Sequence, residues 1–210
     1  MVHRMRKSGL VLIGALSLAA GVVAAEVAVE AVPAEQLQLY APIAAQLIQQ
    51  QFPNPPVKVD VDTTKAQGYH IKEKVGMFLL PDKAVTADAL KTAGDKGVPI
   101  GILVTKDLSV QEKDAPAPPT RIAIADLNGQ VKLPVFYVTV KAKGDDRFAE
   151  VFSKDEKPLA TIPLKKIEAA GDTLVNLKLQ NVDEEKKQLD AVLTLAGGHE
   201  FTLRMGTIEP

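Results

Sequence analysis

Between residues 121 and 206, short apolar-polar alternations follow one another with turn formers between them. A chain patterned this way buries its apolar faces by pairing strands into packed antiparallel sheets. Seven such runs occur, at 121–127, 131–141, 147–152, 159–164, 173–180, 189–195 and 199–206. Asn128-Gly129, Gly144-Asp145-Asp146, Gly171-Asp172 and Gly197-Gly198 break four of the intervals between them. The spacing predicts an antiparallel β-sandwich or small barrel.

The last hairpin can be read to its register. Leu189, Ala191, Leu193 and Leu195 share one strand face, and Phe201, Leu203 and Met205 share a face of the return strand. A two-residue Gly197-Gly198 turn would oppose Leu193 to Thr202 and Leu195 to Glu200, mixing apolar and polar on one side. A three-residue loop, 196–198, pairs Leu193 with Phe201, Ala191 with Leu203 and Leu189 with Met205. Register follows the buried face, and such loops take glycine at a left-handed position, so the three-residue loop is expected. Glu200, Thr202 and Arg204 then point to solvent.

Residues 26–113 are expected to form an α+β region. Residues 26–32 alternate as a short strand, and Leu37, Tyr40, Ala44, Leu47 and Ile48 recur at helical spacing. Pro42 sits inside that helix, where proline costs about 3 kcal/mol, so a kink or a second helix opening at Pro42 is expected. The run Phe52-Pro53-Asn54-Pro55-Pro56 ends it. Val57, Val59 and Val61 alternate with Lys58, Asp60 and Asp62 as a half-buried strand, and residues 69–80 read as one longer strand that becomes apolar on both faces. Thr86 caps a helix over 87–93 that stops at Gly94, and 98–104 is a buried strand. Residues 57–105 thus read as β-β-α-β. Residues 114–120, Asp-Ala-Pro-Ala-Pro-Pro-Thr, form a semi-rigid linker or a long surface loop before the antiparallel β region 121–210. The fold class expected is α+β, mostly β.

Residues 1–25 carry the three parts of a secretory signal: basic Arg4, Arg6 and Lys7, an apolar run from 9 to 23, and small residues ending at Ala25. A membrane anchor needs roughly 20 apolar residues, more than this run supplies, so cleavage after Ala25 and a periplasmic or extracellular product are expected. Loss of those three cations from 25 leaves 22 basic against 26 acidic residues, a net charge of −4. Residues 26–113 and 114–210 carry −2 each, with 9 against 11 and 13 against 15, so no basic region is set apart to meet nucleic acid or an anionic membrane. The chain has no cysteine, which excludes disulfides, thiolate metal sites, covalent haem attachment and a lipidated cysteine.

Chemistry-bearing residues are few. His70 shares a strand face with Lys72 and Lys74, and His199 borders the Gly197-Gly198 turn; two histidines cannot complete a zinc site. Ser109 and Ser153 lie in no nucleophile motif. Asp60 and Asp62 are two apart on one strand face, a spacing that suits a shared Ca²⁺ or paired acids as well as a solvated strand. Asp126-Leu127-Asn128-Gly129 begins like a calcium loop but lacks the closing glutamate, so it reads as a hairpin turn, as do Asp145-Asp146 and the acidic-basic run 183–187. No phosphate-binding glycine loop occurs. No catalytic, cofactor-binding or metal-ligating residue is therefore assigned, and no cofactor is expected. The reading is an exported, non-catalytic protein with a binding or cell-envelope structural role, its partner another envelope or extracellular protein. Two alternatives stand beside it: a carboxylate-dependent hydrolase using Asp60, Asp62 and His70, and a binder of a small apolar ligand between the sheets.

Overall fold

The computed structural model describes residues 28–72, 75–112, 115–126, 129–168 and 174–208. Residues 1–25, expected to be a leader, and Lys74, Leu127, Asn128 and Gly171-Asp172 lie outside the described residues.

The fold is α+β and mostly β: two antiparallel sheets pack face to face, and one helix covers the far side of the first. In chain order the elements are β1 (Val29–Ala31), α1 (Ala34–Gln51), β2 (Gln67–Ile71), β3 (Val75–Pro81), α2 (Ala87–Lys91), β4 (Val98–Lys106), β5 (Leu108–Glu112), β6 (Ala115–Pro116), β7 (Thr120–Asp126), β8 (Gly129–Lys143), β9 (Asp146–Phe152), β10 (Ala160–Pro163), β11 (Lys165–Lys166), β12 (Val175–Asp183), β13 (Gln188–Leu195) and β14 (His199–Thr207). The first sheet runs β1-β2-β3-β4-β8-β9-β10, with β7 also paired to β8. The second runs β12-β13-β14-β5-β6, with β11 also paired to β14. Both sheets therefore take strands from either side of the proline-rich run.

Strand β8 shows how the layers arise from period-two alternation. Phe136, Val138 and Val140 face the core between the sheets, where they meet Leu177, Leu193, Phe201 and Leu203. Val135 and Tyr137 face the other way, into a second core with Leu80, Ile102 and Val104 beneath Ala41 and Ile48 of α1. A strand covered on both faces reads as a continuous apolar run, which is why residues near Phe78 lose their alternation.

The β13–β14 hairpin has the expected register, Leu189↔Met205, Ala191↔Leu203 and Leu193↔Phe201, closed by residues 196–198 with Gly197 and Gly198 at φ +88° and +77°. The seven expected strands of the antiparallel region appear as β7, β8, β9, β10, β12, β13 and β14. Thr86 caps α2 through its hydroxyl, which accepts from Ala89 N at 3.0 Å.

Four expectations require correction. Residues 69–80 are two strands, the hairpin β2–β3, in which Lys72 takes a left-handed conformation at φ +50°. A non-glycine residue there carries no sequence signal for a turn. Residues 57–62 make only an isolated bridge, Val61↔Asp82. The Asp82 carboxylate accepts the Asp60 backbone N–H at 2.7 Å, occupying a donor that a ladder would need. Helix α1 is a single helix through Pro42, which removes the alternative of a second helix opening there. Its inward face centres on Ala41 and Ile48, so Tyr40 is exposed. Small Ala41 and Ala44 let the helix axis approach the sheet more closely than Tyr40 would. Strand β5 also lay beyond the pattern reading, because Asp107 at φ +56° turns the chain from the first sheet to the second within one residue.

Candidate functional site

The residues with the best chemical credentials do not converge. His70 pairs with Gly76 on β3, whereas Asp62 N donates to Pro81 O five residues farther along that strand, roughly 17 Å away. His70 instead reaches toward Glu30, with Nε2 3.7 Å from Oε2. Asp60 is exposed and pairs with Lys83 at 2.9 Å. Asp62 caps a short 3-10 turn, accepting from Thr64 Oγ1 at 2.5 Å and from Thr64 N at 3.1 Å, with Lys65 Nζ also 3.1 Å away. The hydrogen bonds from Thr64 and then Lys65 hold its carboxyl below the usual aspartate value. No group of three or more acidic or histidine side chains suited to a metal occurs among the described residues.

The other candidates act as staples. Ser109 is buried and donates to Ala117 O at 2.5 Å. Ser153 Oγ accepts from Thr120 N and donates to Thr120 Oγ1, both at 2.8 Å, tying the end of β9 to the start of β7. His199 opens β14; burial, then the positive charges of Arg147 and Lys166, push its imidazole below the ordinary value.

Two glutamines complete strand edges in a way that pattern analysis does not detect. Gln67 spans to β12, its Nε2 donating to Val175 O at 2.7 Å and its Oε1 accepting from Leu177 N at 2.8 Å. Gln51, at the end of α1, does the same for β7, donating to Ala123 O at 3.0 Å and accepting from Ala123 N at 2.9 Å. A carboxamide presents one donor side and one acceptor, so it can replace a short piece of neighbouring strand. Both contacts join residues far apart in sequence, which no local periodicity encodes.

Three surface features stand out among the described residues. On α1, Leu39, Tyr40 and Ile43 are 66%, 53% and 51% exposed and adjoin one another on the helix. This 18-residue helix holds six glutamines and a single charged residue, Glu35, although about a quarter of the whole chain is charged. The other two features are clefts at the sandwich margin where β2 and β3 face β12. One, of about 420 Å³, is bordered by Gln67, Tyr69, Asp82 and Leu174. The second, of about 400 Å³, is floored by Ile71, Val75, Val182 and Leu189. Gln67 meets β12 at Val175, which borders the first cleft, and at Leu177, which lies between the stretches of β12 that border the two. No helix among the described residues is long and apolar enough to cross a membrane.

No family model, no curated protein and no solved structure matches this chain.

Proposed function

We propose that this is an exported, non-catalytic binding protein of the cell envelope or extracellular space, and that it meets its macromolecular partner through the outer face of α1. The observation that carries this reading is the exposed triad Leu39, Tyr40 and Ile43 on a nearly uncharged helix. A solvated helix face normally bears charge, and a contiguous apolar patch on a soluble scaffold marks an interaction surface. The sandwich beneath supplies rigidity, because α1 is fixed by Ala41 and Ile48 in its own core and by the Gln51 clamp. Export rests on the leader read in residues 1–25, and the mature product is expected to begin at Glu26 by mass analysis.

Leu39→Glu with Ile43→Glu tests the reading. Both side chains are exposed, so the variant should unfold within ~0.5 kcal/mol of the parent. Capture from envelope extracts should retain a reproducible partner with the parent chain and lose it with the variant. An identical set of captured proteins from both would remove the basis for the assignment.

A second reading, binding of a small apolar ligand, draws on the two clefts, whose volumes lie within the roughly 300–1,000 Å³ of small-molecule sites. A carboxylate-dependent hydrolase has less behind it, since Asp60 and Asp62 are engaged by Lys83, Thr64 and Lys65 and stand apart from His70.

A further inference from the structure

We infer that the cleft lined by Ile71 and Val75 of the first sheet and Val182 and Leu189 of the second takes the alkyl chain of a linear carboxylate, with Lys187 holding its head group. The inference rests on the second reading above and names its ligand.

Four apolar side chains form the floor, Ile71 and Val75 from the first sheet, Val182 and Leu189 from the second. Ile71 and Leu189 are buried members of the core between the sheets, so the cleft opens onto hydrocarbon and not onto a polar wall. At roughly 30 Å³ for a water-sized group, 400 Å³ holds on the order of ten methylenes. The rim of the cleft is polar, and its charges are unevenly matched. Lys72 of the first hairpin pairs with Glu184 of the second, across the gap between them. Asp183 is engaged by Lys186, Nζ to Oδ2 at 3.0 Å, and by the Lys186 backbone N–H. Lys187 borders the cleft with no ion-pair partner among the described residues. Its backbone is pinned by Thr207 N donating to Lys187 O at 2.9 Å, which fixes where the side chain starts. An apolar slot whose described lining residues leave one cation unmatched at its rim selects an apolar chain with one anionic end. The Lys72–Glu184 pair is half exposed on both sides and contributes little to stability, so it offers small resistance to a ligand entering beneath it.

Titration calorimetry of the purified chain with hexanoate, octanoate, decanoate and neutral decanol tests this. Affinity should rise about fourfold per added methylene until the slot fills. Decanoate should bind at least fivefold tighter than decanol. Lys187→Gln should bring decanoate to the level of decanol and leave decanol unchanged. Glu184→Gln, which removes a repelling carboxylate, should tighten decanoate two- to fivefold. Both substitutions are on exposed side chains, so folding is not at stake. Equal binding of decanoate and decanol, or indifference to Lys187→Gln, would overturn the carboxylate assignment while leaving the small-ligand reading in place. Absence of binding by every probe would overturn both. Loss of decanoate binding on Ile43→Glu would place the alkyl chain on α1 and overturn the cleft assignment.

Discussion

Tyr137 stands on β8 under α1, in the second core, and its hydroxyl is buried without a hydrogen-bond partner among the described residues. Burial pushes the phenol up to about 12. The ring packs well and the hydroxyl gains nothing, so Tyr137→Phe should leave stability unchanged or raise it by up to ~1 kcal/mol at pH 7. The pH dependence has a definite sign. A folded-state value above the unfolded value of 10 means that the neutral phenol is favoured by folding. That contribution is complete below pH 10 and is lost as pH rises through 12. Chemical denaturation of parent and variant across this alkaline range should therefore show a steeper decline for the parent. Parallel curves would mean that the hydroxyl is solvated. Glycine at the hairpin tip gives a second residue-scale test. A Cβ at Gly198 would meet Ile167 O at 2.7 Å, whereas at Gly197 nothing lies within 4 Å. Both positions have positive φ, so Gly197→Ala should cost about 1 kcal/mol from backbone strain alone and Gly198→Ala clearly more. Equal melting temperatures for the two would contradict this packing.

At the scale of elements, the Gln67 clamp links the first sheet to the edge of the second. Gln67→Leu strands the Val175 carbonyl and the Leu177 amide in a half-buried setting and should cost about 2 kcal/mol. Hydrogen exchange at Leu177 N–H should accelerate while that of Leu193 in the central strand stays slow; unchanged exchange at Leu177 would show that the clamp is dispensable. The elements divide clearly by what made them legible. The β13–β14 register could be derived because period two leaves one pairing that buries every large side chain together. The β2–β3 turn could not, since Lys72 adopts a left-handed conformation that glycine or asparagine would have announced. Residues 57–62 carry a true burial alternation, with Val57, Val59 and Val61 packed against the helix-side core, yet they form no ladder. Alternation reports which side is buried and says nothing about whether a backbone partner exists.

For the whole molecule, three layers explain the apolar excess of β3, β4 and β8: one face packs on the second sheet and the other on α1. Helix α1 has two apolar stripes, one through Ala41 and Ile48 and one through Leu39, Tyr40 and Ile43, and only tertiary packing decides which is spent on the core. The proposed docking surface was thus hidden within a correct helix assignment. The clefts were not legible at all, because their walls come from segments separated in sequence by about the length of a domain. Lys72 and Glu184, for example, stand 112 positions apart. What did survive from composition is the mixed charge of the remaining surface, which makes the uncharged face of α1 conspicuous. Site-specific photocrosslinking in cells producing the protein tests that face directly, with the crosslinker placed at position 43 and, for comparison, at exposed Lys178 on the outer side of the second sheet. A discrete adduct from position 43 that is absent from position 178 is the expected result. No adduct from position 43, or the same adducts from both positions, would contradict the assignment of α1 as the docking surface.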